Sequence, residues 1–261
     1  MNLKCSLTPI VIIAIGVGED LCAKTLSGIT TAKKQKFDGH LMDIQKMLSG
    51  ALTAHDNQKD RSLQVEIGPS QIGDCRRRVY HQIIGTPKLN QTESLAAILG
   101  TFIHAGVAEA IKREDPFKDN FLIEQEFEFD GLKGHCDLYI KDERHVVDWK
   151  TTKIKSLRFF PSEQQKMQVQ LYGWLLSNNG YEVDKVSLVA IARDGAFSDI
   201  KVHTEAFDPE IAQRGLQWLV EVKQNAIELL PPAPEKMVQF CAPYCSYYDP
   251  TGATGCPSIQ R

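Results

Sequence analysis

The chain has 261 residues, 43% of them hydrophobic, a formal net charge of −3 and seven cysteines. That is enough apolar material for one main core with appendages, and the slightly acidic balance excludes a protein that coats nucleic acid with a globally basic surface, so any such contact must be local. An odd number of cysteines scattered through a chain of this size also excludes a small secreted disulfide scaffold and points to a reducing, cytoplasmic compartment.

The apolar run over residues 9–18 is ten residues long, about half of what spans a bilayer as a helix. Lys4 in front gives it the outline of a signal-peptide core, but one lysine makes a thin n-region and Glu19-Asp20 follow at once. A buried strand or an accessory segment is the preferred reading, with no membrane contact. Residues 1–65 read as an appendage of undetermined role in which only 41–52 has helical spacing.

From Gly68 the pattern sharpens into a domain spanning 66–261. Pro69-Ser70 opens a short helix through Tyr80, and Thr92 can cap a longer one over 93–113 that carries His104. Three strands follow at 121–129, 135–140 and 145–150, with turns at Asp130-Gly131 and 141–144. Pro161 suits the first position of a helix to Ser177 that Asn178-Asn179-Gly180 ends. Strands at 186–193 and 199–204 come next. Asp208-Pro209 then starts a helix to Leu230, and Pro231-Pro232-Ala233-Pro234 breaks it before a cysteine-bearing tail at 235–261. The order predicts an α/β layer fold, a small mixed sheet between helices.

The hairpin at 135–150 carries the chemistry. With the turn at 141–144, Ile140 pairs with His145 and Asp137 falls opposite Asp148. Period two adds Lys150 to that face and sends Cys136, Leu138, Ile140, Val147 and Trp149 to an apolar one. Two facing aspartates repel unless one is protonated or a cation lies between them. Oxygen ligands suit Mg²⁺ or Mn²⁺, which can polarise a phosphoryl oxygen and acidify a water. On geometry alone, the alternative is an exposed face neutralised by Lys150 as a surface ion pair.

The segment Gly134-His135-Cys136-Asp137 followed by Val146-Val147-Asp148-Trp149-Lys150-Thr151-Thr152 resembles the D…(D/E)xK signature of PD-(D/E)xK nucleases, with a restriction-endonuclease-like core, and specifically their RecB-like branch. Gly100-Thr101-Phe102-Ile103-His104 is similar to that branch's GxxxH pattern, and Gln168-Val169-Gln170-Leu171-Tyr172 to its QxxxY helix. The resemblance covers residues 66–261. It implies that His104, Asp137, Asp148 and the Trp149 carbonyl hold the metal, that Lys150 positions a water, and that Gln168 and Tyr172 orient Lys150 or the scissile phosphate.

Cys75, then Cys241, Cys245 and Cys256, resemble the iron-sulfur staple of CRISPR-associated RecB-like exonucleases and AddB-type nucleases, which implies a [4Fe–4S] cluster clamping the ends of the domain. Three and ten residues separate the tail cysteines, wider than the family pattern, so Zn²⁺ on the same thiolates stays open. Cys5, Cys22 and Cys136 are assigned to packing. The resemblance implies an exonuclease on DNA ends, of single strands and in the 5′-to-3′ sense. It leaves open CRISPR, phage recombination or repair, and the protein partners. A structure-specific endonuclease and a non-catalytic DNA-binding subunit are the rivals. Arg76, Arg77, Lys153 and Lys155 are candidates to grip the phosphate backbone, although each basic run could equally be a solvated face.

Overall fold

The structure, a computed structural model, describes residues 43–57, 67–90, 95–114, 119–233 and 238–258. The expectations for residues 9–18, for Cys5 and Cys22, and for a cap at Thr92 lie outside these. The chain divides into compact units Met1–Met47 and Leu48–Arg261. The helices of the second unit are α1 (Ile44–Asn57), which begins in the first, α2 (Arg76–Ile83), α3 (Leu95–Glu114), α4 (Glu163–Asn178), α5 (Pro209–Gln224) and the short α6 (Cys241–Tyr244).

Five strands form one mixed sheet in the order β1 (Phe121–Phe129), β2 (Leu132–Ile140), β3 (His145–Thr152), β4 (Lys185–Ala192), β5 (Lys201–Ala206). Only β3 and β4 run parallel, because α4 carries the chain back between them as a crossover. Asp130 and Gly131 both take positive φ, 49° and 70°, the two-residue turn that matches the twist of a hairpin. The β2–β3 turn also forms where predicted: Arg144 N–H donates to the Lys141 carbonyl, and Ile140 pairs with His145.

Several boundaries shift for local reasons. The helix expected over 69–80 is split: a 3-10 turn at Pro69–Gln71 precedes α2, because the Gln71 side chain accepts from Gly68 N–H and Gly73, at φ 85°, turns the chain. Helix α4 starts after Ser162 instead of at Pro161. Ser162 Oγ accepts from Gln165 N–H while Gln165 Oε1 accepts from Ser162 N–H, a reciprocal cap worth about 1 kcal/mol. Helix α5 stops at Gln224, six residues before Leu230, where Asn225 Nδ2 bonds back to the Glu221 carbonyl.

Two apolar layers sandwich the sheet. On one side α4, flanked by α5 and α2, buries Val169, Leu171, Tyr172, Leu175 and Leu176 against Tyr139, Val146, Val186 and Leu188. On the other, Ala108 of α3 packs with Leu138, Val147 and Trp149. By length and composition α3 could cross a membrane; its Ile98, Gly100 and Ala108 are buried against the sheet side, while Leu95, Leu99 and Phe102 are among its exposed residues.

One departure from period two sets up the site. Leu138, Ile140, Val147 and Trp149 share the α3 layer as expected, but Cys136 lies in the α4 layer. The alternation reverses at Asp137, whose partner Glu124 drops out of the ladder between Ile123↔Leu138 and Gln125↔Cys136. Glu124 has φ 52°, a left-handed conformation costing about 1 kcal/mol or more for such a residue. The reversal is mirrored on β1, where Ile123 faces α3 and Phe127 faces α4.

Candidate metal and active site

Asp137 and Asp148 meet where β2 and β3 part. The β2–β3 ladder runs only from Ile140↔His145 to Leu138↔Val147. Beyond it, Asp137 Oδ2 accepts the Trp149 N–H at 2.9 Å, replacing a backbone acceptor by a carboxylate. Both aspartates are buried, at 2% and 1% exposure. Asp148 Oδ1 accepts from Lys150 Nζ at 3.0 Å and from Gln168 Nε2 at 3.2 Å, and Nζ lies 2.8 Å from Oδ2.

Burial pushes the Asp148 carboxyl up to about 6; Lys150 opposes that rise, and the Asp137 charge adds to it. Two buried carboxylates beside one partly exposed ammonium leave an excess of negative charge among these three groups. The buried pair therefore replaces the exposed face that geometry alone allowed.

Gln168 and Tyr172, four residues apart, share one face of α4. Gln168 Nε2 donates to both Asp148 and the Tyr172 hydroxyl, the latter at 3.2 Å. Gln168 thus bears on Asp148 directly, and Tyr172 bears on Gln168. Tyr172 reaches this position because Gly134 has no side chain: a Cβ there would lie 3.0 Å from the Tyr172 ring and 2.8 Å from Pro69 Cδ.

His104 arrives from the opposite layer. One turn earlier, Gly100 lets α3 close onto the end of β3, where a Cβ would sit 3.1 Å from Thr151 Oγ1. His104 Nδ1, a buried atom with no hydrogen-bond partner, then lies 3.5 Å from Asp137 Oδ1. Glu124 joins them: His104, Glu124 and Asp137 each place one ligand atom within 4.8 Å of the others. Glu124 was not among the sequence candidates, yet counting back from the Asp130-Gly131 turn sets it opposite Asp137.

The tail brings the cysteines to α2. Leu89 and Asn90 N–H groups donate to the Ser246 carbonyl, Asn90 Nδ2 donates to the Cys245 and Tyr248 carbonyls, and Tyr247 stacks on His81. Cys75 caps α2, where burial raises its thiol and the Arg78 and Arg77 N–H groups lower it. Burial pushes Cys241 up to about 11, with Cys245, Cys75 and Cys256 adding to the rise. Cys245 is raised by burial and feels Cys75 and Cys256 too. Cys136 is buried in packing, as expected.

The proposed phosphate grip needs correction at α2. Arg77 is buried at 3% exposure, its Nε donating to the Leu230 carbonyl at 3.0 Å. Arg76 pairs with Glu221 at 2.7 Å and lies over the Trp218 ring. Both fasten α2 to α5 and the segment after it, because a guanidinium can satisfy a carbonyl or carboxylate while stacking on an aromatic face. Lys153 and Lys155 are exposed just beyond β3.

Residues 108–249 match the model of a family described as the PD-(D/E)XK nuclease superfamily. No curated protein matches the sequence. Among solved structures, the crystal structure of SSO0001 is similar with a TM-score of 0.51 and 23% identity, covering 83% of this chain and 97% of that one. An alkaline exonuclease from Laribacter hongkongensis gives a TM-score of 0.43 and 14% identity, covering 64% and 91%. A phage related exonuclease from Haemophilus somnus 129PT gives 0.43 and 13%, covering 63% and 94%. The SSO0001 likeness is one of fold. The family match spans more than half of the sequence and takes in Asp137, Asp148, Lys150, Gln168 and Tyr172, and the chain belongs to the PD-(D/E)XK nuclease superfamily.

Proposed function

We propose that this chain is a metal-dependent DNA exonuclease that hydrolyses phosphodiester bonds from single-stranded ends, in the 5′-to-3′ sense that the RecB-like resemblance implies. The observation that carries the reading is the hydrogen-bonded set of Asp148, Lys150 and Gln168 beside Asp137. The site fits a hard divalent ion. A buried Asp148 carboxyl raised to about 6 and a buried His104 Nδ1 without a hydrogen bond are both relieved by a cation. His104, Asp137, Asp148 and the Trp149 carbonyl would hold Mg²⁺ or Mn²⁺, which when bound polarises a phosphoryl oxygen and makes a water more acidic.

The protein's own groups do the rest. Lys150 is partly exposed with its ammonium on the Asp148 carboxylate, so at the edge of the acids it can hold the attacking water or offset charge on the phosphate. Gln168 fixes the rotation of the Asp148 carboxylate, and Tyr172 fixes Gln168. Lys153 and Lys155 would track the backbone of the strand, which makes binding salt-dependent.

For Cys75, Cys241, Cys245 and Cys256 we favour a [4Fe–4S] cluster. Three partly buried thiols and the buried Cys256, within range of one another's charge, suit a cationic centre. A single Zn²⁺, with Zn–S of about 2.3 Å, would draw the sulfurs to about 3.8 Å apart.

The deciding experiment is degradation of end-labelled single-stranded DNA with Mn²⁺, Mg²⁺ or EDTA by the native chain, Asp148→Ala and Lys150→Ala. Metal-dependent loss of label by the native chain alone supports the reading, and the labelled end gives the polarity. Cutting of a circular single strand would instead make it an endonuclease. DNA binding with no cleavage under any metal would make it a non-catalytic subunit. Anaerobic purification that yields colourless protein with stoichiometric zinc would exclude the cluster.

A further inference from the structure

We propose that Glu124 is a ligand of the metal centre, and that with His104 and Asp137 it forms a second divalent-cation position beside the one formed by Asp137, Asp148 and the Trp149 carbonyl. The inference rests on the metal-dependent reading above and adds a residue that reading does not use.

Three observations carry it. The first is the donor set: an imidazole nitrogen and two carboxylate oxygens, one from each of His104, Glu124 and Asp137, lie within 4.8 Å of one another, and Asp148 is not part of the set. Asp137 is therefore the shared member. It faces both ways, with Oδ2 taking the Trp149 N–H and Oδ1 turned toward His104.

The second is the unsatisfied contact within that set. Asp137 is 2% exposed, and its Oδ1 stands 3.5 Å from a buried His104 nitrogen that makes no hydrogen bond. Two atoms that each ligate one ion at about 2.1 Å, at roughly right angles, are about 3 Å apart, so a small side-chain rotation converts this spacing into coordination. His104 would then serve the second position in place of the first.

The third is how the chain singles out Glu124. Its neighbour along the strand's polar pattern, Glu126, is held by Lys133 and His135 in a surface ion pair. Glu124 instead sits at the pleat reversal opposite Asp137, where its carboxylate reaches the acid cluster. Glu124, Asp137 and Asp148 bring three carboxylates toward one site. Oxygen donors in that number suit hard divalent ions, and a phosphodiester whose charge grows during attack can be met by two of them.

The test is Mn²⁺ binding to the metal-stripped full chain by calorimetry, with cleavage of end-labelled single-stranded DNA measured in parallel. The native chain should take up two Mn²⁺, Glu124→Gln one, and Asp148→Asn one. Glu124→Gln should bind DNA normally and cleave it at least about tenfold more slowly, with Glu124→Asp recovering part of the rate. Native protein that binds one Mn²⁺, with Glu124→Gln binding it equally well, overturns the proposal. Should Glu124→Gln fail to fold, Mn²⁺ electron paramagnetic resonance of the native chain decides: a spin-coupled pair supports the second position, and an isolated-ion spectrum overturns it. If Asp148→Asn loses cleavage while Glu124→Gln binds and cleaves as the native chain does, only this inference falls. Cleavage that persists in EDTA would sink the underlying reading.

Discussion

The hairpin with Asp137 and Asp148 and the tail with Cys241, Cys245 and Cys256 each gather groups that repel one another when ionised, but they are built by opposite routes. The aspartates are brought together by a four-residue turn and are held by neighbours that need no ligand: Trp149 N–H on one, Lys150 and Gln168 on the other. Cys75 and the tail cysteines, nearly the whole domain apart in sequence, are brought within range of one another's charge by a tail whose described contacts include carbonyl bonds to Leu89 and Asn90 and the Tyr247–His81 stack. An acid site on a paired hairpin should survive loss of its charges as a fold and lose only chemistry. A thiol site that closes a long loop should lose stability first.

Paired variants break or keep that contrast. Lys150→Ala should lower the cleavage rate by about a thousandfold and leave the melting temperature within a degree or two. Cys256→Ser should lower the melting temperature by roughly 5 °C or more and make the tail sensitive to protease, while residual cleavage stays metal-dependent. Initial rates and thermal melts on both proteins decide. If Cys256→Ser melts as the native chain does, the tail is fastened by its carbonyl contacts and not by a cluster.

The α2 arginines sharpen the comparison, because they tie the same end of the molecule. Arg77→Ala strands the Leu230 carbonyl and should cost about 2 kcal/mol in urea unfolding, with the salt dependence of DNA binding unchanged. Lys153→Ala should do the reverse, reducing the slope of log affinity against log salt by about 1 at constant stability. A flat slope for native protein would remove the phosphate-grip role from Lys153 and Lys155.

Legibility in the sequence tracks how local each feature is. The register that pairs Ile140 with His145 depends on one turn, so it stands as predicted. The pleat reversal was not legible, because period two treats Glu124, Glu126 and Glu128 alike and nothing in the local sequence demands φ 52° at a glutamate. That is why Cys136 was placed on the wrong face and Glu124 passed over. Arg76 and Arg77 read as a solvated or DNA-facing run because their partners, Glu221 of α5 and Leu230 in the segment after it, are distant in sequence and meet α2 only in the fold. Ser162 carried a visible capping pattern with Gln165, and Pro161 drew the helix start away from it.

The smallest effect separates charge from packing at Asp148 itself. Its carboxyl rises from 3.8 to about 6 in the folded protein, so folding takes up a proton between those values. The stability contributed by this group therefore falls as pH rises through that window, and the full penalty applies above about pH 6. The shift caps the penalty at about 3 kcal/mol, and roughly 1 kcal/mol is expected once relaxation around Lys150 is allowed. In EDTA, Asp148→Asn should therefore be more stable than the native chain at pH 8 and lose that advantage near pH 4. An advantage of equal size at both pH values would mean that asparagine simply packs better, and the acid pair would then owe its strain to shape instead of charge.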